Sequence, residues 1–433
     1  MDLSALGVEI SDLAYDTRAV TPGTLFFCIP GATVDGHDLA ADAVARGAVA
    51  LVVERRVDVD VPQLVVPSVR AAMGPAAAAF FGDPSTALQV AAVTGTNGKT
   101  TTAFLLYSIL AAAGRSPALL TNIRRVVGGE ERPTGLNTPE AIDLQRLFRS
   151  MLEAGDRSCA MEATSIASTQ GRLAGTHFAV LVFTNLTQDH LDFHGTMDEY
   201  YAAKRALFDQ ADAAVVNVAD PWGRRLAAEL PTAVPFSPAD DVPYALKLRG
   251  SFNRANAAGA VAAARALGIS EDAIRAGVES VAGVPGRFES VDVGQPFSVI
   301  VDYAHTPDSL ENVLRTAREL GPGRLTVVFG AGGDRDREKR PLMGRVAATL
   351  ADRVIVTTDN PRSEDPRAIA EQVAEGRLEI VVDRRAAIEQ ALAEAADGDV
   401  VVIAGKGADT EMEIAGAFVP FDDREVAREV LTR

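Results

Sequence analysis

With 433 residues the chain is too long for one ordinary core, and roughly two to four domains are expected. A formal net charge of −17, spread along the sequence, argues against nucleic acid as a partner and suits a soluble enzyme. No apolar run reaches the roughly 18–20 residues that cross a bilayer, which argues against a membrane partner.

The amino-terminal stretch MDLSALGVEISDLAYD lacks a basic region followed by an apolar core, so no export signal is expected and a cytoplasmic location is the simplest reading. Cys28 and Cys159 lie in apolar settings, as small core residues do, rather than as a disulfide or metal pair. TLFFCIPGATVDGHDLAADAVARGAVALVVE predicts strand, Gly-rich turn, helix and strand, closing a first domain at residues 1–86. A second domain, 87–284, opens with the strand LQVAAVTG. It continues through strand-like FAVLVFTNL and DAAVVNV to the helix SFNRANAAGAVAAARAL, a βα alternation that implies a parallel sheet. GVPGRFE, at 283–289, has the Gly and Pro density of a hinge. The third domain, 285–433, carries five apolar strands with helices between them, another doubly wound α/β unit.

TGTNGKTT, between the strand LQVAAVTG and an apolar helix, has the make-up of a phosphate cradle. Gly95 permits a sharp turn, and Gly98 lets backbone N–H groups approach phosphate oxygens with no Cβ in the way. Lys99 suits the terminal phosphates, and the Thr100 hydroxyl suits Mg²⁺. The first glycine is only three residues ahead of Gly98, so this is not the full G-x-x-x-x-G-K-[ST] spacing.

GTNGKTTT resembles the ATP loop of the Mur ligase family, the amide-forming enzymes of peptidoglycan precursor synthesis. NTPEAIDLQ, TNLTQDHLDFHGTMDEYYAAKRALF, VDYAHTPDSLENVL, GAGGDRDREKRPLMG, DNPRSEDP and VPFDDREVA extend the likeness, in order, over most of the chain. Within that family the chain most resembles the branch that adds the third residue to UDP-N-acetylmuramoyl-dipeptide. The resemblance implies a three-domain α/β architecture: a UDP-substrate domain, a central P-loop ATPase-like domain and a Rossmann-like amino-acid domain. It implies a monomeric cytoplasmic ligase using ATP and Mg²⁺ to join meso-diaminopimelate to UDP-N-acetylmuramoyl-L-alanyl-D-glutamate through an acyl phosphate.

Residue by residue, the likeness implies ATP contacts from Gly95, Thr96, Asn97, Gly98, Lys99, Thr100 and Thr101, with Asn253 at the base. Arg287, His305, Asp308, Asp334 and Arg335 are implied to close over the nucleotide from the third domain. Thr100, Glu162 and His190 are implied metal ligands, and Lys204 an implied carbamylated lysine, although its helical spacing with Tyr200 and Phe208 also suits an ordinary surface lysine. Asp16, Thr17 and Arg18 match the uridine end, with Thr17 where the family usually has serine. Thr138, Thr164, Gln170 and Arg172 match the muramoyl-dipeptide positions. Asp359, Asn360, Arg362, Gly405 and Asp409 match the amino-acid site, where arginine in DNPR accompanies meso-diaminopimelate.

Three features depart from the pattern. Ala408 and Asp409 stand where the family has His-Glu, Ile166 replaces a histidine, and the segment before residue 251 is short. They leave two alternatives open: a divergent ligase with another amine or carboxylate, and a catalytically silent nucleotide-binding scaffold.

Overall fold

Apolar runs rich in Val, Phe and Leu become short strands, and Ala-rich segments become the helices that cover them. A computed structural model describes residues 6–31, 34–239 and 242–433 and divides the chain into two units. Residues 1–5, within the stretch read for an export signal, lie outside the described residues.

The first unit comprises Met1–Thr94, Gly114–Leu181 and Ala203–Ala214. Its amino-terminal strands Asp12–Ala14, Thr24–Phe27, Ala48–Val53 and Gln63–Val65 form a parallel sheet in that order. Alternate residues serve opposite faces, as the period of two requires. Leu25, Phe27, Ala50 and Val52 join a core with Val69, Met73 and Ile142, whereas Phe26, Cys28, Leu51 and Val53 pack with Ala40 and Ala43. Both cysteines are buried and free. In the same unit Gln89–Thr94 pairs in parallel with Ser158–Glu162, which pairs with Pro117–Leu120. The antiparallel strands Arg125–Val127 and Glu130–Arg132 extend this edge.

The second unit comprises Gly95–Ala113, Val182–Ala202 and Val215–Arg433. Helix Lys99–Ala112 packs against Ser251–Ala266 and Glu271–Ser280. The approach is close: a Cβ on Gly277 would lie 2.4 Å from the Ile109 Cα. Beyond residue 285 all five expected strands form. The sheet order is Glu289–Ser290, Ser298–Asp302, Val400–Ala404, Leu325–Phe329, Arg353–Val356, Glu379–Ile380, parallel except at its first edge. Helices cover both faces, with Leu310, Leu314 and Met343 on one side and Ile388, Leu392 and Val426 on the other. An antiparallel hairpin, Glu411–Ile414 with Ala417–Pro420, follows the Val400–Ala404 strand. Among the described residues no helix is long and apolar enough to cross a membrane.

Candidate active site

The phosphate loop takes the conformation its glycines allow. Gly95 has φ 148° and Gly98 φ 88°, and helix Lys99–Ala112 begins directly after Gly98. A Cβ would fall 1.9 Å from Thr184 Oγ1 at Gly95 and 2.2 Å from Asn256 Oδ1 at Gly98, so both positions exclude a side chain. The loop is braced by neighbours that the sequence reading did not single out. Asn185 Oδ1 accepts from Asn97 N at 2.9 Å, Thr184 Oγ1 donates to Asn97 O at 2.6 Å, and Thr96 N donates to Asn185 O at 2.9 Å. Thr96 Oγ1 donates to Thr187 O at 3.2 Å and lies 3.1 Å from the Tyr200 hydroxyl. Lys99 folds back, its Nζ donating to the carbonyls of Gly95 (3.0 Å) and Thr96 (2.7 Å). Thr100 and Thr101 are buried in the first helical turn, with backbone amides at the positive end of the helix.

Residues far along the chain meet this loop within the second unit. Arg287 Nη2 donates to Thr100 Oγ1 at 2.9 Å, and its guanidinium lies 4.4 Å from the Tyr303 ring centroid. Asn97 Nδ2 donates to Asp308 Oδ2 at 2.8 Å, where burial holds the Asp308 carboxyl above its ordinary range. The hinge-like stretch is a tight turn: Gly286 has φ 62°, and a Cβ there would lie 2.0 Å from Ala408 N. Asn253 lies in the first turn of Ser251–Ala266, donating to Arg249 O at 2.7 Å and accepting from Asn256 at 3.1 Å.

His190 adopts a left-handed backbone (φ 54°), with Nε2 3.4 Å from Asp189 Oδ2. Asp189 also faces His305 (3.7 Å) and the buried Lys339 Nζ (3.3 Å). Burial alone would raise the Asp189 pKa, but the His305 hydrogen bond and the Lys339 and His190 charges hold it well below the usual carboxylate range. Gln188 donates to Asp336 at 3.2 Å. The charge run GGDRDREKR has the composition of a solvated turn, but only part of it is exposed. Arg335 is exposed, yet Lys339 and Arg340 are buried. Asp334 accepts from Ser363 Oγ at 2.7 Å and from Ser363 N at 3.1 Å, tying this turn to the DNPR loop.

The amino-acid positions gather at the carboxyl ends of the parallel strands, where an open α/β sheet offers its crevice. Asp359 is buried, and a Cβ on Gly405 would lie 2.3 Å from its Oδ2. Asp409 has its pKa pushed up to about 6, chiefly by burial; Lys406 opposes the rise and Asp359 adds to it. Behind these loops a fully buried pair, Arg384 with Asp423 at 2.6 Å, also spends guanidinium donors on Thr358 O and Ala404 O, both 3.0 Å away. Nothing in the local sequence marks Arg384. Its role arises because three distant strand and helix ends converge there.

In the first unit Glu162 is 1% exposed at the end of its strand and accepts from Asn137 Nδ2 at 3.1 Å. Thr138 Oγ1 donates to Glu162 O (3.1 Å) and lies 3.3 Å from Thr164 Oγ1, while Thr164 caps helix Ser165–Thr169. Arg172 donates to Thr138 O at 3.2 Å and pairs with Glu140 at 3.0 Å, a carboxylate that the sequence reading missed. Arg70 bridges Glu140 and Gln170 O, at 3.4 Å each. Asp16, Thr17 and Arg18 form a turn in which the exposed Arg18 folds onto Asp16. Lys204 is not an ordinary surface lysine, being only 1% exposed.

Three family profiles match in sequence order: the Mur ligase family catalytic domain at residues 9–86, the Mur ligase middle domain at 93–239, and the Mur ligase glutamate ligase domain at 286–407. The UDP-N-acetylmuramoyl-L-alanyl-D-glutamate--2,6-diaminopimelate ligase of Geobacillus thermodenitrificans is 44% identical over 97% of this chain and 94% of its own length. Its counterpart in Geobacillus kaustophilus is 45% identical with the same coverage. A solved structure of a ligase of that name has 31% identity and a TM-score of 0.68, covering 98% of this chain and 95% of its own. Folylpolyglutamate synthase of Mycobacterium tuberculosis, solved with ADP and AMPPCP, shares the fold at 20% identity and a TM-score of 0.64, covering 84% of this chain and 95% of its own. Three profiles in order, near-complete coverage and the shared three-domain α/β architecture agree: the chain belongs to the Mur ligase family.

Proposed function

We propose that the chain is an ATP-dependent, ADP-forming ligase that joins meso-diaminopimelate to UDP-N-acetylmuramoyl-L-alanyl-D-glutamate, acting as a cytoplasmic monomer. The observation that carries the reading is the phosphate loop itself, with Lys99 at its mouth and Arg287 reaching Thr100 from beyond residue 285. Relatives 44–45% identical over 97% of the chain carry the corresponding ligase name. Residues 1–86 would hold the uridine end, 87–284 the ATP, and 285–433 the amino acid.

The chemistry then follows from the residues. A substrate carboxylate oxygen attacks the γ-phosphorus of ATP, the bond to ADP breaks, and an acyl phosphate results. The amine of the second substrate attacks the acyl carbon; phosphate leaves and the amine gives up a proton. The barrier is largely repulsion between anions, so fixed cations and backbone N–H groups set the rate. Lys99 and the amides of the loop bind the phosphates, and Arg287 exchanges its Thr100 contact for the transferring phosphoryl group. Asp308 and Asn97 hold the loop in place, and Asn253 and Asn256 flank the expected base position.

The donor set fits Mg²⁺, which prefers oxygen. By resemblance the Thr100 hydroxyl would serve a first ion, and Glu162 and His190 a second; beside the buried Glu162 carboxylate the Asn137 Oδ1 has no hydrogen-bond partner. Among the described residues no cluster of three or more His, Cys, Asp or Glu side chains could hold a metal ion. When bound, Mg²⁺ neutralises phosphate charge. Carbamylated Lys204 would add a further carboxylate at a buried position.

The test is phosphate release from ATP with purified protein while amines and UDP-linked carboxylates are varied. Release that requires both meso-diaminopimelate and the UDP-linked dipeptide, and that disappears in Lys99→Ala, is the expected result. Release only with other pairs would replace the substrates and keep the chemistry. No release with any pair would leave a nucleotide-binding scaffold.

A further inference from the structure

Lys339 is the first residue of helix Lys339–Leu350 and is buried. A cation there faces the positive end of the helix dipole, and burial adds a desolvation cost, so helix stability does not explain its place. Its partner is far back in the chain, in the same unit. Lys339 Nζ donates to Asp189 Oδ1 at 3.3 Å, and the two side chains are only 5% and 6% exposed. From the same turn Asp336 accepts from Gln188 at 3.2 Å, so two neighbouring residues of one loop meet one turn.

The Asp189 carboxylate also secures the residue after it. Oδ1 accepts from His190 N at 3.0 Å, and Oδ2 lies 3.4 Å from His190 Nε2 and 3.7 Å from His305 Nε2. His190 needs that support, because its φ of 54° is uncommon for a residue with a side chain. One carboxylate therefore holds both the backbone and the ring of His190, and Lys339 holds the carboxylate.

The turn that carries Lys339 is braced along its length. The buried Arg340 donates to Gly332 O at 3.1 Å and to the two oxygens of Glu364 at 2.8 and 3.0 Å. Arg362 Nη1 donates to Gly333 O at 2.7 Å, while its Nε faces Glu413 Oε2 at 3.2 Å. A turn so held passes its position on to the Lys339 ammonium.

We infer that Lys339 is a positioning residue: through Asp189 it fixes His190, so the loop at 188–190 takes its working geometry only with the 334–339 turn seated on it. The inference rests on the proposed ligase reading, in which His190 would serve an ion, and deepens it by naming what sets that side chain. Arg287 and Asp308 reach the phosphate loop by contacts of their own, so ATP binding does not depend on Lys339.

The test compares parent, Lys339→Met, Lys339→Arg, Asp189→Asn and the Lys339→Met/Asp189→Asn double variant, by amide hydrogen exchange of the unliganded protein and by steady-state kinetics. In Lys339→Met, exchange across 186–194 should quicken about ten- to hundredfold, the scale of a hydrogen bond to a charged group, while strands Leu325–Phe329 and Val400–Ala404 keep their protection. The kcat should fall by a similar factor with the ATP KM unchanged. Lys339→Arg should recover part of both, and the double variant should lose no more than Asp189→Asn alone. Parental exchange at 186–194, or losses that multiply in the double variant, would overturn the inference. So would quickening that reaches both strands, the mark of a merely structural lysine. If the parent releases no phosphate, the ligase reading falls and exchange alone decides: quickening confined to 186–194 supports the positioning role, and its absence refutes it.

Discussion

Replacing Asp409 by asparagine should turn two pH-dependent properties flat. The Asp409 carboxyl titrates at about 6 rather than 3.8, with burial the largest cause, Lys406 opposing and Asp359 reinforcing. A raised carboxyl pKa means that the folded protein binds the proton more tightly than the unfolded chain. The associated stability is therefore fully present below about pH 4 and is lost as pH rises through 6. A shift of about two units corresponds to about 3 kcal/mol in all, roughly half of it falling between pH 5 and 8. Urea unfolding of parent and Asp409→Asn across that range should show the variant gaining about 1.4 kcal/mol on the parent from pH 5 to pH 8. The diaminopimelate KM of the parent should fall over the same interval, as the carboxylate that would hold an ammonium forms, and the variant should lack the inflection. A stability difference that stays constant with pH would refute the burial argument. A KM inflection that survived in the variant would remove Asp409 from amino-acid binding.

Two further outcomes test the buried charges. Lys204→Ala should lose at least about a hundredfold in turnover, with partial recovery in millimolar acetate if a carbamate carboxylate is what the site lacks; no recovery, together with full parental activity in carbon-dioxide-free buffer, would exclude the modification. Arg384→Met should cost about 3–5 kcal/mol in chemical denaturation, because Asp423 remains buried without its partner, and Arg384→Met/Asp423→Leu should recover most of it; a double variant no better than the single would show that the contacts to Thr358 and Ala404, not the buried charge, carry the energy.

The fold was legible because its signals are local and repeated. Short apolar strands alternating with Ala-rich helices predict parallel sheets, and Gly-Thr-Asn-Gly-Lys-Thr marks a phosphate loop by backbone permissiveness alone. Motif membership did not make every side-chain role legible: Asn185, Glu140 and Lys339 lie inside the motifs that carry the likeness, yet each acquires its role from a partner dozens of residues or more away. DREKR shows the limit well. Its composition reads as a solvated turn, yet Lys339 and Arg340 are buried because Asp189 and Glu364 meet them.

What the sequence by itself determined was the class of chemistry and the order of its parts, since periodicity, glycine placement and motif order need no knowledge of distant contacts. Tertiary structure alone decided the pairings: Arg287 on Thr100, Asn97 on Asp308, Arg362 beside Glu413, and the buried Arg384–Asp423 brace. The physical reason is that a charge or an amide has the same local sequence whether it faces water or a partner, and only the packed chain sets which of the two it meets.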